Sequence, residues 1–562
     1  MTHQLHAQGT DQGLTLKVYR GDRSAFLAFD LDQHLTGGLA GFAVEVTDPS
    51  GKPFFLPNRL SFDQGVHKDT DPQERKLTPS NLAPFQKFSW FHAPSAPVPG
   101  QYRYTATAMY LKAGKTDLEP GPSASVDLEI QPPPGTFQLG FTRGYMSSQA
   151  YSEKFAGDLD YAPKPKSLDY EYAKYEDKYV WLGGHARTLM MEFVDACVAD
   201  PRSTLDLFAY DIDEPRIVKQ LQAMGGRLRA VLDNADLHTK PGAMEIEVLK
   251  RLKASAGEAN VVSGHFKRFA HDKIFIRKVD GKPHSVLTGS ANFSVRGLYV
   301  QANSVLRIED PDVAATYEDA FQASFAGMSG FSKAPPSKKW FDFAKPGLPA
   351  FGVAFSPHRT AEISLDRVKE AIGEAKSSVI YAVMELGGSG TVMKELQALP
   401  TRDDLFSYGV TQHSKGINLY RPGSKKGVLV DFAVVQKNAP PPFQEEVTGG
   451  MGQVIHHKFV VVDFNDADPV VFCGSSNLAE GGEQENGDNL LSIYDRGVVQ
   501  AYAVEGMRLV DHYAFRDQLQ NTPVSKPLTL QGATRPKGTA PWWKRYYDED
   551  DLSYVERTLF SR

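Results

Sequence analysis

The residues best equipped for chemistry come twice. His271 and Lys273 are followed, after an apolar run, by Gly289-Ser290-Ala291-Asn292; His456 and Lys458 are followed, after Phe459 to Val462, by Gly474-Ser475-Ser476-Asn477. His271 to His456, Gly289 to Gly474 and Asn292 to Asn477 are each 185 positions apart, and a third echo, Asn303 and Asn489, is 186 apart. Residues i and i+2 of an extended chain share a face. Each histidine therefore projects with its lysine, while Asp272 or His457 between them points the other way. Ser290 with Asn292, and Ser475 with Asn477, form a second same-face pair, and the glycine ahead of each serine admits a close backbone approach. Each copy thus offers an imidazole, an ammonium, a hydroxyl and a carboxamide. An ammonium with neutral donors suits a phosphate, and an imidazole attacks phosphorus or moves a proton. With two imidazoles, one can serve as nucleophile and the other as general acid; the sequence leaves open which does which.

These residues resemble the signature of the phospholipase D superfamily, His-x-Lys-x4-Asp followed by Gly-Ser-x-Asn. His456, Lys458, Asp463, Gly474, Ser475 and Asn477 fit it in full, whereas the first copy carries Lys278 at the Asp position and its nearest acid is Asp280, two residues on. The resemblance spans roughly 137–520. It implies two α/β halves packed about a pseudo-two-fold axis, with a reaction that needs no metal and no cofactor. His271 and His456 would do the covalent and proton-transfer chemistry through a phosphohistidine. Lys273, Lys458, Asn292 and Asn477 would hold the non-bridging oxygens, where charge grows in the transition state. Ser290, Ser475, Asn303 and Asn489 would support the phosphate site. Asp463 would brace it, with Asp280 as the first copy's substitute. The implied substrate is a phosphodiester, a phospholipid headgroup ahead of nucleic acid. Hydrolysis and phosphatidyl transfer both stay open.

The wider composition sets limits on these readings. At 562 residues the chain has room for several cores, and 41% apolar with 23% charged residues is ordinary for a water-soluble globular protein. A net charge of −6 argues against a general nucleic-acid coat. Cys197 and Cys473 are the only cysteines, so no disulfide framework is expected. The start, Met1-Thr2-His3-Gln4, lacks a basic and apolar leader, and no apolar run approaches the ~20 residues of a membrane span. These features predict a cytoplasmic, or at least soluble, protein.

The elements that must position the motifs follow from periodicity. Residues 1–133 alternate apolar and polar positions over Leu14–Tyr19, Ala25–Leu31, Gly41–Val46, Tyr102–Tyr110 and Ala124–Ile130, which predicts an all-β, sandwich-like accessory domain of immunoglobulin-like type. Pro132-Pro133-Pro134-Gly135 reads as a stiff boundary. Residues 136–345 and 349–520 then hold one motif copy each, in strand–helix–strand alternation that predicts parallel α/β sheets. The expected helices are Thr188–Val198, Pro215–Ala223, 242–255 and 311–325 in the first copy, and 363–375, 391–398 and 497–519 in the second. The interval 399–453, with His413 and Pro440-Pro441-Pro442, reads as a rim of the site or a solvated insertion. In the tail, 521–562, Trp542-Trp543-Lys544-Arg545-Tyr546-Tyr547 reads first as aromatics docking onto the body; stacking on bases or lipid is the other reading.

A lone histidine on a sheet is usually structural, as suits His265, His284, His358 and His457; His271 and His456 differ because their surroundings recur with them. Neither Ser290 nor Ser475 sits in a Gly-x-Ser-x-Gly elbow. The acids of 233–236 and 483–488 match no calcium loop, so no metal site is expected. The rival from another class is a non-catalytic binding protein on the same fold. One chain carries both motifs, so a monomer suffices for a complete site.

Overall fold

The computed structural model describes the whole chain apart from residues 1–3, 63–76, 113–116, 132–133, 145–148, 157, 424–425, 439–453, 523–527 and 536. The Pro440-Pro441-Pro442 run and Pro132-Pro133 therefore lie outside the described residues. The chain forms two compact units, one of residues 1–133, 431–447 and 503–562, the other of residues 134–430 and 448–502.

In the first unit, alternation of buried and exposed residues produces two four-stranded sheets. One orders His6–Asp11, Leu14–Arg20, Ala25–Leu31 and Ser89–His92; the other orders Glu119–Glu129, Gln101–Tyr110, Leu39–Thr47 and Pro53–Phe55. Their inward side chains, among them Leu16, Phe29, Phe42, Tyr104 and Leu128, make one apolar cluster. The tail aromatics join it. Tyr546 is buried there, Trp542 Nε1 donates to the Leu39 carbonyl at 3.0 Å, and Tyr547 OH donates to the Leu31 carbonyl at 2.5 Å. Tyr546 is buried and Trp542 partly buried in that cluster, which supports the docking reading of the tail.

The second unit holds both motif copies on two sheets. A seven-stranded sheet runs Phe137–Phe141, Ser304–Ile308, Lys282–Gly289, Ile274–Val279, Ser203–Ala209, Leu228–Asp233, Val261–Gly264. A nine-stranded sheet contains Phe351–Ser356, Asp488–Ile493, Val470–Gly474, Phe459–Val462, Ser378–Val383 and Phe406–His413 in that order. The first six strands of the one match these six of the other in order and in direction, four antiparallel pairings followed by a parallel one. The expected parallel sheets are thus corrected to mixed ones. Strand–helix–strand steps do pair in parallel, but each His-Lys motif leads into a hairpin, and a hairpin can only return antiparallel.

Helices cover the sheets. Glu176–Ala199 starts well ahead of the predicted Thr188, and Gly184 inside it takes φ 53°, a kink that only glycine adopts without strain. Pro215–Met224 begins with Glu214 capping the Ile217 amide, and Pro311–Ala326 with Asp310 capping Asp312 and Val313. The interval after 399 is more ordered than its sequence suggested: Phe406–His413 and Gly416–Tyr420 form a hairpin extending the second sheet. Among the described residues, no helix is long and apolar enough to cross a membrane.

Candidate active site

The motif residues lie at the ends of the hairpin strands. His271 and Lys273 precede Ile274–Val279, and His456 and Lys458 precede Phe459–Val462; Ser290 and Ser475 follow the last residues of Lys282–Gly289 and Val470–Gly474. Gly289 and Gly474 both take positive φ, 143° and 140°. A Cβ there would run into the Ser304 or Asn489 carbonyl, so glycine is required for the turn that delivers each serine.

Short backbone pairings bring the two copies together. His271 N donates to the Gly487 carbonyl at 2.9 Å, and His456 N donates to the Ala302 carbonyl at 3.2 Å. Each histidine is thereby set beside the residue that follows its bridge partner. His271 Nδ1 lies 2.6 Å from Asp488 Oδ1, and His456 Nδ1 lies 2.8 Å from Asn303 Oδ1. Asn303 Oδ1 also accepts from Ser290 Oγ at 2.9 Å, and it can only accept, so the proton on His456 sits on Nδ1 and Nε2 is bare. Ser475 hydrogen-bonds the Asp488 carboxylate in the matching way.

Asp488 was missed by the sequence reading. The repeat offset of 185 carries Asn303 onto Asp488, not onto Asn489. Asn489 points to the opposite face, where its Nδ2 donates to Asp272 at 2.8 Å and its Oδ1 accepts from Thr288. Its assignment to the phosphate site is corrected for that reason: neighbours on a strand face opposite ways. Holding the offset constant would have found Asp488.

The lysines are nearly inaccessible. Lys273 donates to the His271 carbonyl and lies 5.1 Å from the centre of the Tyr210 ring; Lys458 donates to the His456 carbonyl at 3.0 Å and touches Met384. Burial pushes Lys273 down to about 8 against the upward pull of Asp488 and Asp211, and pushes Lys458 well down. Burial and the two ammonium groups hold both imidazoles far below their usual range, hence neutral. Burial raises Asp488 to about 7, opposed by Lys273 and Lys458. A contact of 2.6 Å between Asp488 and His271 requires one proton between them.

Both histidines, Asn292 and Asn477 line one cavity of about 840 Å³, together with Tyr210 and Asp211. Gln412, His413 and Ser414 also line it, so part of the 399–453 interval is rim. Gln412 accepts the Val454 and Ile455 amides, fixing the approach to His456. Asn292 Nδ2 donates to Asp211 Oδ2 at 2.8 Å, an acidic neighbour that no motif had announced.

Two acids lie elsewhere. Asp463, at φ 54°, accepts the amides of Lys376, Ser377 and Ser378 at 2.8–3.0 Å and so ties off the start of Ser378–Val383. Asp280 has a similar φ of 51°, but its carboxylate is exposed and, among the described residues, pairs only with Arg202, at 3.6 Å. The supporting role expected of Asp280 is corrected: it turns the hairpin and touches nothing at the site. Lys278, at the Asp463 position, pairs with Asp206 and Glu318.

Residues 197–325 match a family model described as cardiolipin synthase, PLD-like domain. A protein of Rickettsia bellii named phospholipase D is 25% identical over 186 residues, 32% of this chain and 87% of that one. Among solved structures, the phospholipase D family member Nuc of Salmonella typhimurium shares 22% identity, covering 23% of this chain and 82% of that chain at a TM-score of 0.19. Phosphatidylserine synthase of Haemophilus influenzae shares 11%, covering 59% and 89% at a TM-score of 0.39. The family-model match and the relative both support the likeness to the phospholipase D superfamily that the paired motifs carry.

Proposed function

We propose that the chain is a phosphodiesterase of phospholipase D type, with a phospholipid headgroup ester as its favoured substrate. The observation that carries this is a pair of buried imidazoles in one cavity, each anchored at Nδ1 and each flanked by a buried lysine. A nucleophile and a general acid need that arrangement.

The different anchors suggest the roles. Forming a bond from His271 Nε2 to phosphorus makes its ring cationic, and the Asp488 carboxylate on Nδ1 stabilises that charge. His456, held by a neutral carboxamide, is the better acid once Nε2 has taken a proton from solvent, which the negative charge of the bound phosphodiester favours. The phosphorus–oxygen bond of the leaving group breaks as His456 Nε2–H passes its proton to that oxygen. Water then gives a proton back to His456 and attacks phosphorus, and the phosphorus–nitrogen bond breaks. An alcohol in place of water gives phosphatidyl transfer. Lys273, Lys458, Asn292 and Asn477 hold the non-bridging oxygens, and Ser290 and Ser475 steady the two anchors.

In this reading the two matching sheets are halves related by a pseudo-two-fold axis, residues 136–345 and 349–520, and a monomer suffices. The β-rich residues 1–133 are a sandwich-like accessory domain. Phospholipid is favoured over nucleic acid because Leu237, on the cavity wall, is half exposed and apolar, and because Asp211 and Glu385 there offset Arg268 and Arg296, so the wall is not the basic groove a polyanion requires.

The test is turnover in chelator of mixed phospholipid vesicles and of labelled single-stranded DNA, with His271→Ala and His456→Ala as controls. Headgroup release abolished in both variants is the expected result. Histidine-dependent DNA cleavage with intact lipid would establish the nuclease instead. Silence on both would leave the binding-protein rival.

A further inference from the structure

Beside the cavity stands a second cluster that the proposed reaction does not use. Asp211, His238 and Glu245 each present one ligand atom, and these atoms lie within 4.8 Å of one another. They come from three separate elements: the end of Ser203–Ala209, the turn Asp236–Thr239 and the first residues of Met244–Ala256. We propose that these three side chains bind one divalent transition-metal ion of the Zn²⁺ class. The inference does not rest on the proposed reaction.

The histidine is set up as a ligand. Its Nδ1 lies 2.7 Å from Asp233 Oδ1, and Asp233 is itself fixed by the Ala270 amide. A carboxylate on Nδ1 holds the proton there, orients the ring and leaves Nε2 as the donor, the outer-sphere arrangement of histidine–metal sites. Without an ion, Nε2 faces Asp211 Oδ1 at 2.7 Å. Ligand atoms about 2.0–2.2 Å from a tetrahedral ion are about 3.3–3.6 Å apart, so small side-chain shifts close the sphere, with loss of the Nε2 proton. Among the described residues Glu245 forms no ion pair; the nearby Lys166 is bound to Asp213 at 3.2 Å.

An independent observation points to a ligand on this wall. Asn292 is 2% exposed, its Nδ2 gives one of its two hydrogens to Asp211 Oδ2, and its Oδ1 has no partner among the described residues. Asp211 can only accept, so the amide cannot be turned round to satisfy that oxygen. A bare carbonyl oxygen in the wall of an open cavity lacks a donor, which a water on the bound cation would supply. One imidazole with two carboxylates favours zinc-like ions over Mg²⁺ or Ca²⁺, which take all-oxygen sites.

The test is equilibrium dialysis of the chelator-stripped full chain against low-micromolar free Zn²⁺, followed by metal analysis. The expected result is about one Zn²⁺ per chain, undiminished by excess Mg²⁺ and retained in His271→Ala. Glu245→Gln and Asp233→Asn should each weaken binding about 10–100-fold. No retained zinc, or zinc lost in His271→Ala but unchanged in Glu245→Gln, overturns the proposal. Zinc-edge X-ray absorption on the unmutated chain needs no variant to fold: one imidazole with oxygen neighbours supports the site, and two or more imidazoles overturn it.

Discussion

His271 and His456 occupy equivalent places in two stretches of chain, with the same lysine two residues on and the same glycine turn behind. Their anchors differ. Asp488 holds the first ring and Asn303 the second, from positions related by the same offset of 185. One half of the repeat thus brings a charge to its neighbour's histidine and the other brings only a dipole. In the proposed mechanism, these two single residues divide the labour between two otherwise matching motifs.

The largest effect that tests this division is loss of either ring. His271→Ala and His456→Ala should each lower turnover by at least about 10²–10⁴-fold. With an activated leaving group that needs no proton, His456→Ala should still trap a phosphohistidine by mass, and His271→Ala should not. Trapping only in His271→Ala would reverse the roles. Next comes the anchor: Asp488→Asn should cost up to about 10⁴-fold, as when a triad carboxylate loses its charge, and more than Asn303→Ala. Equal losses would mean that the charge difference carries no function.

Lys273 sharpens the comparison through pH. Its pKa is lowered to about 8, so it is charged below that pH and neutral above it. The kcat/KM should therefore fall as pH rises through about 8, and Lys273→Arg should move that fall upward. The same limb persisting unchanged in Lys273→Arg would assign it to another group. The smallest effects contrast the two hairpin acids. Asp463→Ala leaves three amides unsatisfied and should cost about 1–3 kcal/mol in urea melts. Asp280→Asn, which keeps a residue that tolerates the left-handed turn, should stay within about 0.5 kcal/mol, because an exposed pair at 3.6 Å contributes little.

Much of this was legible in the chain. Alternation located Leu14–Arg20 and Ala25–Leu31 to within a residue or so, and Pro215 and Pro311 marked helix starts, because both signals are local. The paired histidines, lysines and Gly-Ser turns were legible because they repeat. Sheet direction was not: strand–helix–strand order speaks for parallel pairing, and only the observed hairpins show where the chain turns back. Asp280 looked like a brace because it is an acid near a motif, yet whether a carboxylate reaches a backbone amide depends on the turn's path in space.

The sequence by itself determined the chemical inventory and its duplication: two imidazoles, two ammonium groups, two glycine turns, in one order at one spacing. Those follow from residue type and position, which one dimension records in full. Only the tertiary structure decided which ring meets which anchor, because His271 and Asp488 are 217 positions apart and touch through a bridge between chain segments. It alone decided that one ligand atom from each of Asp211, His238 and Glu245 lies within 4.8 Å of the others. Contacts between distant residues are set by how sheets and helices pack, and no local pattern in the chain encodes them.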